Sequence, residues 1–133
     1  MSVWKMAILA GGSALVLAAC GSSGGGGGGG GTSCNPTGGA SGATAAQTIK
    51  INPDPNTVGR YDPATVNVKA GDSVEWDWVD TSINHSVTAD DGSFDSCLQN
   101  AGAKFIVTFS KAGADVKYHC TIHAQMMGEV KVS

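Results

Sequence analysis

The sequence predicts an all-β domain, a sandwich or barrel of six or seven short strands. Three observations support this fold class. Apolar and polar residues alternate with a period of two in one segment after another. Residues typical of turns separate these segments, and no stretch keeps a helical period over three turns.

The first three predicted strands lie before residue 80. Residues 48–51 alternate, and the Pro- and Asp-rich segment 52–55 ends that strand. Residues 65–68 alternate next, and the glycine-containing turn at 70–72 follows them. The third strand, 73–78, places both of its tryptophans on the apolar face. These tryptophans are therefore predicted to be core residues rather than a binding platform.

The last three alternating segments occupy the C-terminal part of the chain. Residues 104–110 alternate up to the turn at 112–113, and residues 116–120 and 130–132 follow the same pattern. Between the two groups, residues 94–102 have room for one short helical turn. The order of elements therefore predicts strands throughout, with one face of each strand buried.

The N-terminal segment is typical of an export signal. Lys5 precedes an apolar run over residues 6–19, which is too short to span a bilayer. The end of this run, Leu17-Ala18-Ala19-Cys20, resembles the lipobox of bacterial lipoproteins. That resemblance implies a signal peptide at 1–19, cleavage before Cys20 and a lipid on its sulfur. The alternative is an ordinary secretory signal with a chance cysteine.

Glycine dominates the next segment. Residues 20–33 include an unbroken glycine run from Gly24 to Gly31, which predicts a flexible tether. The remaining residues, 34–133, suffice for one domain. The formal net charge is −3, and loss of Lys5 makes it more negative. Because there is no basic patch, we expect no nucleic-acid partner.

A cluster of soft and imidazole ligands lies near the C-terminus. Cys120, His123 and a methionine at 126 or 127 come from one loop after a predicted strand. Strand alternation directs Cys120 inward and His119 outward, so we expect His119 to stay out of any shared site.

A second histidine is needed to complete a metal site. His85 is the remaining histidine and precedes a predicted inner strand. Two imidazoles, a thiolate and a weak axial thioether form the ligand set of blue-copper electron-transfer centres. Zinc is a weaker candidate, because zinc sites prefer four strong ligands and rarely use methionine.

Five segments together resemble the cupredoxins, the small blue-copper proteins such as plastocyanin, azurin and amicyanin. They are residues 61–63, 66–68, 71–76, 84–87 and 118–126. The last contains C-x-x-H-x-x-M, which looks like the short ligand loop of the amicyanin type. The resemblance implies a Greek-key β-sandwich or barrel of the cupredoxin type, with about 7–8 strands, that binds one type 1 copper ion.

The resemblance also implies a role for each ligand. His85, Cys120 and His123 correspond to the equatorial ligands and Met126 to the axial one. Azurin-like loops place methionine one residue further along, at Met127. The glycine two residues after Met126 favours the amicyanin-type assignment.

The neighbours of His85 are expected to surround the ligands. Many family members have asparagine where this chain has Ser86, and that asparagine bonds across to the ligand loop. Hydrogen bonds to ligands tune a metal's electronic properties. We therefore expect Ser86, and Asn84 on the other side of His85, to influence the site. A structural role for Ser86 in strand pairing is the alternative.

Cys34 and Cys97 lie outside the ligand loop, and the resemblance requires neither. Because an exported domain meets oxidising conditions, we expect them to form a disulfide. A free Cys97 and an intermolecular bond through Cys34 are the alternatives.

The resemblance implies an electron carrier rather than an enzyme. The imidazole edge of His123 is expected to reach the surface through an apolar patch of Ile122, Ala124 and Met127. Partners would be redox proteins, a cytochrome or another electron carrier, and would dock weakly on a monomeric domain. The expected location is the cell envelope, on the extracytoplasmic, periplasmic side. A copper-binding carrier or resistance protein is the main alternative, and a structural or adhesive sandwich is a weaker one.

Overall fold

A computed structural model describes residues 33–133. The predicted signal peptide, the lipidation site at Cys20 and nearly all of the tether lie outside these residues. The strands in chain order are β1 (Ala45–Asn52), β2 (Arg60–Asp62), β3 (Thr65–Val68), β4 (Ser73–Trp78), β5 (Thr88–Ala89), β6 (Lys104–Thr108), β7 (Asp115–Cys120) and β8 (His123–Val132). Within residues 33–133, no helix is long and apolar enough to cross a bilayer.

One sheet has the strand order β2-β1-β4-β6. Its centre is the parallel pair β1 and β4, in which Ile49 lies opposite Trp76 and Ile51 opposite Trp78. All four side chains are buried, because the alternating apolar residues of both strands face the second sheet. The two tryptophans are core residues, as predicted.

The other sheet has the order β3-β8-β7-β5. Strands β7 and β8 are antiparallel and joined by a turn at Thr121 and Ile122. The register of this pair shifts between His119 and Cys120. This irregularity lies where the chain leaves the regular ladder and enters the turn, as bulges near functional sites often do.

The two sheets enclose an aromatic core. The Trp76 ring lies 5.2 Å from that of Tyr118 and 5.6 Å from that of Phe94, measured between ring centroids. Tyr61 meets Tyr118 edge to face at 4.8 Å. The predicted all-β class is confirmed, and the described residues form eight strands in two sheets, within the 7–8 strands that the resemblance implied.

The structure differs from the predicted elements in three places. Strand β2 was not predicted, because three residues are too few to show alternation, and the inner strand predicted after His85 is only the two residues of β5. Strand β8 begins at His123, well before the predicted segment 130–132. Residues 94–102 form isolated bridges through Asp95 and Gln99 instead of a helical turn.

Segment 94–99 supports the chain that leads into β5. Gln99 exchanges two backbone hydrogen bonds with His85, at 2.9 and 3.2 Å. The Ser96 hydroxyl accepts a 2.8 Å hydrogen bond from the backbone N–H of Val87. A disulfide joins Cys97 to Cys34, with their Cα atoms 5.8 Å apart. The pairing expected from the sequence is therefore present in the structure, and it ties the start of the domain to this supporting segment.

Candidate metal centre

Three predicted ligands meet at one end of the sandwich. Cys120 ends β7, His123 begins β8, and His85 lies in the connection between β4 and β5. The Nδ1 atoms of the two histidines are 3.1 Å apart, and Cys120 Sγ lies 3.4 Å from His123 Nδ1. One ligand atom from each residue lies within 4.8 Å of the others. The three side chains therefore converge on one point.

The two methionines of the ligand loop have opposite environments. Met126 is 2% exposed, whereas Met127 is 64% exposed. Since successive side chains of a strand point to opposite faces, only one of them can face the interior of the domain. Met126 belongs to the buried core together with Cys120, whereas Met127 does not. Met127 pairs with His119 across the β7–β8 ladder.

His85 is fixed on several sides. Its Nε2 atom lies 2.9 Å from Oδ2 of Asp80, and both side chains are completely buried. The backbone of Gly59 packs against the imidazole so closely that a Cβ there would lie 2.3 Å from Cε1 of His85. The Trp78 indole N–H donates a 2.8 Å hydrogen bond to the His85 carbonyl. The ring therefore has little freedom to rotate.

Asp80 is a partner of His85 that sequence reasoning missed. Burial by itself raises the pKa of Asp80, but hydrogen bonds from His85 and Ser82 outweigh burial and lower it to about 2. The carboxylate is therefore ionised at neutral pH and accepts hydrogen bonds. Its position five residues before His85 was the available signal, but an aspartate in a loop has many other uses.

The Cys120 thiol is buried and receives a backbone hydrogen bond. The Ser86 N–H points to Sγ at 3.4 Å. The Ser86 hydroxyl accepts a 2.9 Å hydrogen bond from the Thr121 N–H, so this side chain reaches the ligand loop. The Tyr61 hydroxyl donates to the Ser86 carbonyl at 2.5 Å. Ser86 therefore links the sulfur, the ligand loop and the core.

His123 is the ligand residue nearest to solvent. Burial, together with the neighbouring His85, lowers the pKa of His123, while Asp80 acts in the opposite direction. The imidazole is therefore neutral at neutral pH, which is the form that binds metals. A shallow depression beside it is lined by Val58, Ile122 and Ala124, among others.

The remaining predicted residues lie further from the centre. Met127 does not line the depression beside His123. Asn84 is exposed and makes no side-chain hydrogen bond to a predicted ligand within the described residues. His119 bonds Asp90 at 2.6 Å and is not part of the convergent group, as its outward direction predicted.

The donor set fits a soft or borderline transition metal. It contains a buried thiol and two imidazole nitrogens from separate segments, and a buried thioether lies three residues after His123. Such a set is typical of blue-copper centres.

The family model of copper-binding proteins, plastocyanin/azurin family, matches residues 47–133. The chain belongs to this family. The part of this cupredoxin that the family model matches contains all four predicted ligands. It also contains all eight strands, except for the first two residues of β1.

Solved structures resemble this cupredoxin as well. A purple cupredoxin from Nitrosopumilus maritimus is 26% identical, with a TM-score of 0.56 over 65% of this chain and 99% of that one. An oxidized mutant of amicyanin is 25% identical, with a TM-score of 0.56 over 74% and 91%. A reduced Cu(I) form of another amicyanin mutant is 26% identical, with a TM-score of 0.52 over 71% and 85%. No curated protein matches the chain significantly.

Proposed function

We propose that this cupredoxin is an electron carrier that holds one type 1 copper ion through His85, Cys120, His123 and Met126. The observation that carries the proposal is the convergence of one thiol and two imidazoles at one buried point. When bound there, copper supplies a one-electron couple between Cu(I) and Cu(II).

The protein contributes a site that is already formed. His85 is held by Asp80 and by the backbone of Gly59, and Cys120 is held by the Ser86 N–H. Ligands fixed in this way need little rearrangement when the charge of the site changes. The site therefore suits fast electron transfer.

Burial also argues against catalysis. The side chains of His85, Cys120 and Met126 are at most 2% exposed, and His123 is half-buried. Among these four residues, only His123 has a side chain that is not classed as buried, so solvent meets the site mainly at that imidazole. We therefore assign electron transfer, and not an enzymatic reaction, to this site.

Partner docking is proposed at the surface beside His123. Val58 and Ile122 are 53% and 50% exposed there, and Ala124 is exposed as well. A small apolar surface of this kind supports weak, short-lived complexes with a redox protein such as a cytochrome. The domain itself is proposed to be monomeric.

We also propose that the protein is lipid-anchored in the cell envelope, on its extracytoplasmic side. The support is the sequence up to Cys20 and the glycine-rich residues that follow it. Cys20→Ser is expected to move the protein from the membrane fraction to the soluble one. A protein that stays in the membrane fraction after this change would contradict the anchor.

The visible and EPR spectra of the copper-loaded protein test the copper assignment. We expect an intense thiolate-to-Cu(II) band with narrow hyperfine splitting, together with a reversible one-electron wave. Cys120→Ser is expected to abolish the band, while Met127→Leu should retain it. Absence of the band in the unaltered protein would refute the site. Rapid loss of copper to a chelator without a reversible wave would instead indicate a copper-handling protein.

A further inference from the structure

A carboxylate lies buried directly behind His85. The side chains of Asp80 and His85 are both fully shielded from solvent, and Oδ2 of Asp80 lies 2.9 Å from Nε2 of His85. A buried charge is costly unless hydrogen bonds compensate for it. This carboxylate therefore needs compensating hydrogen bonds.

Both carboxylate oxygens have partners. While Oδ2 bonds His85, Oδ1 accepts hydrogen bonds from the Ser82 N–H at 2.8 Å and the Ser82 hydroxyl at 2.5 Å. The Asp80 N–H donates to the carbonyl of Ile51 in β1 at 2.9 Å. Because side chain and backbone are both held, the carboxylate has a fixed direction relative to the imidazole.

This geometry determines where the imidazole proton lies. Oδ1 of Asp80 accepts two hydrogen bonds from Ser82, and Oδ2 faces Nε2 of His85 at 2.9 Å, so this carboxylate is placed to accept a hydrogen bond from Nε2–H. In the neutral ring with its proton on Nε2, the lone pair lies on Nδ1, which is the atom 3.1 Å from His123 Nδ1. The tautomer required for binding a metal through Nδ1 is therefore set before any metal binds.

We propose that Asp80 is a positioning residue that presents His85 Nδ1 to the metal and, through its buried negative charge, favours Cu(II) over Cu(I). This inference rests on the copper function proposed above. A carboxylate behind a ligand histidine fixes the ring and raises its basicity. A charge shielded from water acts more strongly on its surroundings than an exposed one. The more highly charged oxidation state gains more from both effects, so Asp80 lowers the reduction potential.

The test compares Asp80→Asn and Asp80→Ala with a matched control, Asp95→Asn. Asp95 also accepts hydrogen bonds, from Thr88 Oγ1 at 3.0 Å and from the Cys97 N–H at 2.8 Å. It bonds none of the four proposed ligands. The control therefore removes the same charge from the neighbouring supporting segment without touching His85.

The first measurement is made on the metal-free protein. Long-range ¹H–¹⁵N NMR of His85 should show the proton on Nε2 in the unaltered protein and in Asp95→Asn. In Asp80→Ala we expect a mixture of tautomers. A proton on Nδ1 in the unaltered protein would overturn the proposal whether or not copper is the natural metal.

The second measurement is the reduction potential of the copper-loaded proteins. We expect Asp80→Asn to lose at least about tenfold in affinity for Cu(II), and less in affinity for Cu(I). Each tenfold change in the ratio of these affinities raises the potential by about 59 mV. If the potential of Asp80→Asn is unchanged, or if the potential of Asp95→Asn rises equally, the proposal that the buried charge of Asp80 lowers the reduction potential is overturned.

The two proposals fail in different ways. Absence of a thiolate-to-Cu(II) band in the unaltered protein would refute the copper function itself. A normal band, with no change of tautomer or potential in the Asp80 variants, would refute the role of Asp80 alone. If Asp80→Ala does not fold, the tautomer of the unaltered protein and the potential of the isosteric Asp80→Asn still decide the question.

Discussion

Substitution of Gly59 by alanine probes how tightly the site is packed. Gly59 is buried in the loop between β1 and β2, and its backbone lies against the imidazole of His85. An added Cβ would lie 2.3 Å from Cε1, 2.9 Å from Nε2 and 3.1 Å from Nδ1 of that ring. Carbon atoms pack best at about 3.5–4.0 Å, so the ring or the loop would have to move by more than about 1 Å.

The cost of this movement follows from the contacts of His85. Overpacking a rigid site typically costs about 1–3 kcal/mol. Movement of the ring also strains its hydrogen bond to Asp80, and a buried carboxylate without its partner costs about 3–5 kcal/mol. Since the site can relax in part, we expect Gly59→Ala to lower the free energy of unfolding by about 2–4 kcal/mol.

Urea unfolding of the metal-free protein, followed by tryptophan fluorescence, measures this change. Gly39→Ala serves as the control, because its Cβ would lie 3.0 Å from the Phe105 side chain, away from the proposed ligands. We expect a smaller loss of stability and an unchanged copper spectrum for the control. If Gly59→Ala is as stable as the unaltered protein and binds copper with the same affinity, the inference that Gly59 packs tightly against His85 is wrong.

Three further predictions test the loop, the disulfide and the docking surface. Met126→Leu should change the reduction potential at a stability cost below about 1.5 kcal/mol, because the substitution nearly conserves volume. Met127→Leu should change neither the potential nor the stability. Equal potentials for both variants would contradict the assignment of Met126 as the axial ligand. Replacing Cys34 and Cys97 together by alanine should lower the free energy of unfolding by about 4 kcal/mol, because the bridge spans a sequence separation of 63; urea midpoints without such a loss would contradict this. Val58 has a φ of 69°, which asparagine adopts more readily than a β-branched residue. Val58→Asn should therefore keep or raise the free energy of unfolding and weaken partner binding in a titration. Unchanged binding would exclude Val58 from the docking surface.

The C-terminal ligand loop was predictable because its geometry is local. Cys120 and His123 lie on either side of a two-residue turn, and period-two alternation decides which way Cys120 and His119 point. The same reasoning separates the two methionines only when the start of β8 is known. That start was not visible, because apolar alternation becomes clear only near residue 130.

Other parts of the site depend on loops whose conformation a single sequence does not determine. Asp80 meets His85 because Ser82 closes a tight turn between them and the Asp80 backbone is anchored on β1. Gly59 reaches the same ring from a loop distant in sequence. Neither contact follows from hydrophobic periodicity, since polar loop residues carry no such pattern. The position of Val58 at positive φ was hidden for the same reason.

The disulfide also determines how the domain bears mechanical tension. A pull on the chain before Cys34 enters the fold at that residue and passes through a covalent bond to Cys97. Cys97 is buried, and the segment around it is hydrogen-bonded to Val87 and His85. Because Cys34 precedes β1 in the chain, this covalent path does not run through β1. The pull is passed instead to the backbone hydrogen bonds between Gln99 and His85, which join this segment to the connection between β4 and β5.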